Sequence, residues 1–171
     1  MNAQSDPFAD IPDDALLLSY ANGDGQAARV LTVRVLPRVL AQATRMLGNA
    51  AEAEDVAQDA MMRLWKIAPD WRQGEAQVTT WLYRVVANLC TDRLRKRRGG
   101  VSLDQVAEPA DTAPSAAERM QTDARMTALS DALAQLPDRQ AQAVALRHLE
   151  GRSNPEIAEI MDISVEAVES L

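Results

Sequence analysis

The sequence predicts an all-α protein: two small helical domains joined by a flexible linker, the second containing a helix-turn-helix. Three observations carry that prediction. The apolar residues, 47% of the chain, are mostly Ala, Leu and Val with only 4% aromatics, a balance that favours helix over strand. Successive segments repeat their apolar residues at steps of three and four and stop at Gly or Pro. Between two such regions, residues 101–122 lose the period altogether.

"PDDALLLSYANGDG" reads as a short amphipathic helix starting after Asp13 or Asp14 and stopped by "NGDG". From Gln26 to Leu47 one apolar row runs Leu31, Val35, Val39 and a second runs Leu36, Leu40, Ala43, Leu47. Pro37 inside that pattern is expected to kink or split the helix, and Gly48-Asn49 ends it. A third helix, "AEAEDVAQDAMMRLWKIAPD", has its acids (Glu52, Glu54, Asp55) early and its bases (Arg63, Lys66) late, as the helix dipole favours. Val56, Ala60, Leu64 and Ile67 make its buried stripe, Pro69 closes it, and "DWRQGEAQ" is a loop. A fourth helix spans about Val78 to Arg98 and stops at Gly99-Gly100.

The linker, residues 100–122, has Pro109, Pro114 and many small residues, with helix resuming from about Ser115. Leu129, Leu133 and Leu136 then share a helix that ends before Pro137. Asp138 is expected to cap the next helix, which turns Ala141, Val144, Ala145 and Leu149 inward and stops at Gly151. Ser153 with Glu156 fits a capping box, and Ser164 fits a second N-cap eleven residues later. A short helix, a tight turn and a newly capped helix make the helix-turn-helix, with Ile157, Ala158, Met161 and Ile163 as its small core.

The formal net charge is −7, but it is unevenly distributed. Residues 61–98 carry nine basic and three acidic side chains, whereas residues 99–171 carry five and thirteen. A local polyanion site in an otherwise acidic protein fits this better than binding of nucleic acid over the whole surface.

The fourth helix concentrates that site. Val78, Trp81, Leu82, Val85, Val86 and Leu89 form its apolar face. Opposite them Thr80, Arg84, Asn88, Thr91, Arg95 and Arg98 align within about 80°. Cations mixed with Asn and Thr can hydrogen-bond phosphates and base edges. A wet helix end accounts for any one of Arg95, Lys96, Arg97 or Arg98. Together they exceed it, because like charges at three and four residues repel unless countered. A targeting tag fits a patterned helix poorly. Trp81 at the edge of the apolar face either packs or stacks on an unpaired base; Trp65 packs, and Trp71, beside Arg72 in a loop, has no obvious core to join.

Other classes fare worse. The polar, acidic N-terminus is no signal peptide, and no stretch approaches the length of a membrane span, so the expectation is a soluble, cytoplasmic chain without membrane insertion. One Cys excludes an internal disulfide and thiolate zinc clusters. Cys90 and His148 lie in separate predicted domains, and no phosphate loop or metal-ligand spacing occurs, so no catalytic residue, metal or cofactor is expected and the protein is not read as an enzyme.

Three ordered stretches, "AEAEDVAQDAMMRLW", "VTTWLYRVVANLCTDRLRKRR" and "LEGRSNPEIAEIMDISVEAVESL", resemble regions two and four of the extracytoplasmic-function (ECF) group of bacterial sigma factors, over roughly residues 13 to 171. The resemblance implies a dissociable subunit that binds RNA polymerase core enzyme and directs promoter recognition and melting. Residues 1–99 would be the region-two-like domain and 123–171 the region-four-like domain. Gln58 and Asp59 would meet the polymerase clamp, with Asp55, Met62 and Lys66 on or beside the same face; an exposed Met among charges suits a partner surface. The loop with Trp71 and Arg72 would capture a flipped base of the −10 element. Trp81, Arg84, Asn88 and Thr91 would lie along the melted strand, and Arg95, Lys96, Arg97 and Arg98 on its phosphates. The linker acids Asp104, Glu108 and Asp111 would lie in the polymerase's RNA path.

Ser153, Glu156, Ser164, Val165 and Glu166 fall in the part that would read the −35 element. Here the sequence departs from the family: "AARVLTVRVL" lacks the usual aromatics, Asp162 stands where Gly is frequent, and Glu166 and Glu169 oppose phosphate. Only seven residues follow from Val165, about 10 Å of helix, so the expectation is a C-terminally truncated region four with incomplete −35 contacts. A cognate anti-sigma factor is the further partner implied. The alternative is a self-standing helix-turn-helix regulator whose N-terminal half senses a ligand or dimerises. Against it, the strongest basic surface lies outside the helix-turn-helix, which is itself net acidic.

Overall fold

The computed structural model describes residues 6–99 and 116–171, which form eight α-helices and, among the described residues, no strand. The linker acids Asp104, Glu108 and Asp111 lie outside them.

Helices α1 (Asp13–Ala21), α2 (Gly25–Leu47), α3 (Ala50–Ile67) and α4 (Val78–Gly99) make the first bundle. Asp24 caps α2, accepting from the N–H groups of Gln26 at 2.9 Å and Ala27 at 3.3 Å. The α2 row Leu31, Val35, Val39, Ala43 and Leu47 is buried, as its spacing predicts. Pro37, however, does not split α2, which runs through it. The carbonyl it leaves without a helical donor belongs to Val33, 75% exposed, so water can satisfy that group.

Gly48 ends α2 at φ +64, its N–H donating to Thr44 O at 2.8 Å. Asn49 then caps α3 through Glu52 N–H at 2.9 Å. A 3₁₀ turn, Ala68–Asp70, closes α3 at Pro69. Buried Gln42 ties α2 to α4, its Nε2 donating to Tyr83 O at 3.1 Å.

Helix α5 (Ala116–Ala134) begins within the expected linker and docks on the first bundle with its C-terminal end only. There Leu133 and Ala134 join the main core. A Cβ on Gly48 would lie 2.8 Å from Met126 O, so the absence of a side chain lets α5 approach that closely.

The rest comprises α6 (Asp138–Val144), a π turn (Ala145–Leu149), α7 (Asn154–Met161) and α8 (Val165–Glu169). Two expectations for α6 are corrected. Pro137, not Asp138, is its N-cap, and no side chain caps it. The π turn, with Glu150 N–H bonding Ala145 O at 3.1 Å, also shifts the helical register. Val144, which ends α6 ahead of that turn, is exposed and not inward as its spacing suggests, while Leu146 turns in beside Ile157, Ala158, Ile160 and Val168. Tyr83 of α4 packs against this small core, with the Arg152 guanidinium 5.5 Å above its ring.

Asp162 links α7 to α8 at φ 56, the only described non-glycine residue with positive φ. Its N–H bonds Glu159 O at 3.4 Å and that of Ile163 bonds Ala158 O at 3.0 Å, a Schellman turn in which Gly is usual and Asp is tolerated.

Candidate nucleic-acid and polymerase interfaces

α4 presents two differently used sides. Val78, Leu82, Val86, Cys90 and Leu94, four residues apart, are sealed in the first core. Burial pushes the Cys90 thiol up to about 12, so it stays protonated and inert at neutral pH. Trp81, Val85 and Leu89 are only partly buried, and Ala87 and Thr91 are buried as well. The buried surface of α4 is therefore wider than its apolar face.

The extra burial comes from the second domain, which lies on the polar stripe. Arg84 donates from Nε to Ile160 O at 2.7 Å and from Nη2 to Glu159 O at 3.0 Å. Gln142 Nε2 donates to Asn88 Oδ1 at 2.9 Å and to Thr91 Oγ1 at 3.0 Å. Thr91, placed by sequence on an open surface, is 3% exposed and donates to Ala87 O at 3.0 Å. Asp138 accepts Arg95 on one oxygen at 2.9 Å and Arg98 on the other at 3.2 Å. Arg95 also pairs with Asp92. Lys96 remains exposed.

A cavity of about 280 Å³ remains between the domains, lined by Arg84, Asn88, Arg139, Gln142, Ile160 and Met161 among others. Thus the acidic C-terminal part of the chain sits on the basic stripe.

Arg97 has a different use. It points away from the stripe, donating to Ser130 Oγ at 2.7 Å and Leu47 O at 3.0 Å and pairing with Glu52. These bonds join α2, α3, α4 and α5, so Arg97 is a structural tie and not one of the free cations the sequence pattern suggests.

Trp71 also departs from its expected setting. It meets Trp81 edge-on, centroids 6.2 Å apart, and packs against the main core with its indole Nε1 buried and unbonded. Arg72 beside it is open, within 3.6 Å of Glu75. Trp65 packs on Tyr20 at 4.7 Å, as expected.

On α3 the face holding Asp55, Gln58, Asp59, Met62 and Lys66 remains open. Met62 is 70% exposed. Asp59 pairs with Arg63 at 3.0 Å, and Asp55 reaches Arg93 only at 4.0 Å, both within the first bundle.

The helix-turn-helix candidates are largely committed to local structure. Ser153 and Glu156 form the full capping box, Ser153 N–H donating at 2.7 Å to the Glu156 carboxylate. That backbone bond, with the Ser153 hydroxyl, holds the Glu156 carboxyl below its usual range. Ser164 Oγ accepts from Ala167 N–H at 3.1 Å. Val165 packs against the small core, and Glu166 is exposed.

Sequence reasoning missed the groups that cover the stripe: Asp138, Gln142 and the Glu159 and Ile160 carbonyls. Asp138 was legible only as a cap, and backbone carbonyls carry no sequence signal.

Residues 31–99 match the family described as Sigma-70 region 2, and residues 126–171 match Sigma-70, region 4. The ECF RNA polymerase sigma factor SigW of Bacillus subtilis is 33% identical over 138 residues, 74% of this chain and 72% of the relative. The RNA polymerase sigma-H factor of Pseudomonas aeruginosa is 29% identical over 168 residues, 92% of this chain and 86% of that protein. Among solved structures, CnrH in complex with the cytosolic domain of CnrY aligns with a TM-score of 0.63 at 25% identity, covering 92% of this chain and 88% of that one.

Proposed function

The chain belongs to the ECF group of RNA polymerase sigma factors and serves transcription initiation; on that premise, we propose how its surfaces divide the work. The region-two-like domain binds core enzyme through the α3 face of Asp55, Gln58, Asp59, Met62 and Lys66. The same domain holds the melted non-template strand of the −10 element along the α4 stripe, with the Trp71–Arg72 loop receiving a flipped base. The observation that carries this division is that the two faces lie on different helices, α3 open and α4 lined with Arg, Asn and Thr. The region-four-like domain approaches the −35 element, with Ser153, Glu156 and Ser164 acting chiefly as helix caps.

The chain supplies no catalysis of its own and works in the cytoplasm; among the described residues no helix is long and apolar enough to cross a membrane. A protein partner that restrains it is part of the reading, supported by the likeness to CnrH, whose structure holds the cytosolic domain of CnrY. The self-standing regulator is not favoured, because regions two and four occur in order on one chain.

The test is transcription reconstituted from core polymerase, this protein and fragmented genomic DNA. Discrete new start sites that need the protein support the assignment, and their absence in the presence of core binding overturns it.

A further inference from the structure

We propose that the cavity between the two domains is a binding site for a mononucleotide, its phosphate held between Arg84 and Arg139 and its base against Asn88, Gln142 and Met161.

The charge balance of the arginines singles this place out. Arg95, Arg97 and Arg98 each have a carboxylate partner. Arg84 and Arg139 have none among the described residues, yet both line the same cavity of about 280 Å³. Arg84 commits Nε and Nη2 to the Ile160 and Glu159 carbonyls, which leaves its Nη1 without a bond among the described residues. Arg139 is exposed. Two cations facing one enclosed space repel, and walls of low dielectric strengthen that repulsion. An anion between them removes it. A phosphate monoester carries nearly two negative charges and three terminal oxygens, enough to take both guanidinium groups, whereas a monocarboxylate neutralises only one.

The rest of the lining selects what the phosphate is attached to. Gln142 donates its Nε2 hydrogens to Asn88 Oδ1 and Thr91 Oγ1, so Asn88 Nδ2 and Gln142 Oε1 remain as one donor and one acceptor. A donor beside an acceptor matches the edge of a nucleobase. Ala87, Ile160 and Met161 supply an apolar wall for its ring. The volume is at the lower end for a small-molecule site and suits one nucleotide better than two. Because the ligand touches α4 and the second domain together, it adds its binding energy to this arrangement. Arg84 and Asn88 also belong to the strand-holding set proposed above, so on that reading a bound nucleotide competes with the strand.

The test is calorimetric titration of the full chain with adenosine or cytidine 5′-monophosphate, with adenosine, and with inorganic phosphate, at low salt. Arg139→Gln is compared with Arg125→Gln, which removes an exposed arginine of α5 that has no ion pair among the described residues. Arg139 lies outside the strand-holding set, so its loss tests this site and not that one. The expected result is submillimolar binding of a nucleotide, about tenfold weaker in Arg139→Gln and unchanged in Arg125→Gln, with adenosine not bound. Equal nucleotide affinity in the two variants overturns the site. Phosphate bound as tightly as the nucleotide overturns the nucleotide assignment, and binding of neither overturns both.

Displacement of fluorescein-labelled single-stranded DNA is measured in parallel. Nucleotide binding that leaves the strand in place would keep the site and sink the strand-holding reading of Arg84 and Asn88.

Discussion

Arg84 donates its Nε hydrogen to the carbonyl of Ile160 at 2.7 Å, across seventy-six residues of sequence. One guanidinium thereby serves closure of the chain and, in the reading above, capture of the strand. Arg84→Ala should separate these roles. Losing two charge-assisted bonds to part-exposed carbonyls should weaken closure by about 2 kcal/mol. The variant should be more open by scattering yet poorer at open-complex formation, with core affinity unchanged. Normal promoter melting by Arg84→Ala would remove Arg84 from the strand-holding set.

Gln58→Ala with Asp59→Ala should weaken core-polymerase binding about tenfold or more, as loss of central contacts does. Stability should hardly change, because among the described residues the only ion pair lost is the exposed Asp59–Arg63 pair, worth about 0.3–0.5 kcal/mol. Binding to immobilised core enzyme alongside thermal melting decides it, and unchanged affinity counts against the α3 face.

Arg97→Met should behave as a stability mutant, unlike Lys96→Ala. It leaves Glu52 half-buried without its partner and removes a donor from the Leu47 carbonyl, which keeps the Ser130 hydroxyl at 2.8 Å. The expected cost is about 2 kcal/mol in denaturant unfolding. Lys96, exposed, should cost nothing measurable in stability but weaken strand binding and flatten its salt dependence. The reverse pattern would mean that the two side chains have been assigned the wrong way round.

Glu150 sets a pH dependence. Desolvation raises its carboxyl above the usual value of 4.5, opposed by the nearby positive charges of Arg45 and Arg152. Its Oε1 lies 3.5 Å from Arg45 Nε but makes no hydrogen bond. The folded state therefore binds this proton more tightly than the unfolded state. Its contribution to stability is complete below about pH 4.5 and is lost as pH rises through the raised value. Glu150→Gln should remove that component, making the difference in melting temperature from wild type grow between acid and neutral pH. A pH-independent difference would show that Glu150 titrates normally.

Much of the local structure was already written in the residues. The spacing of Leu31, Val35, Val39 and Ala43 is one buried stripe, and Ser153 with Glu156 is one capping box. Both depend on neighbours within a helical turn or two, so pattern alone determines them. The sequence likewise fixed where positive charge gathers and, through three ordered motifs, the family.

Tertiary structure decided which surfaces remain open. Asp138 has the composition of a cap but serves as a counter-ion to Arg95 and Arg98, and Arg97 leaves the basic run to tie α5 down. Thr91 is sealed by Gln142, and Val144 at the end of α6 faces outward. The contacts made by Asp138, Gln142 and the α7 carbonyls join groups forty to seventy-six residues apart. They exist only once two folded surfaces meet, and no periodicity records such a meeting. The sequence by itself determined that this protein has a stripe fit to hold a strand; only docking of the second domain decided that the stripe is covered.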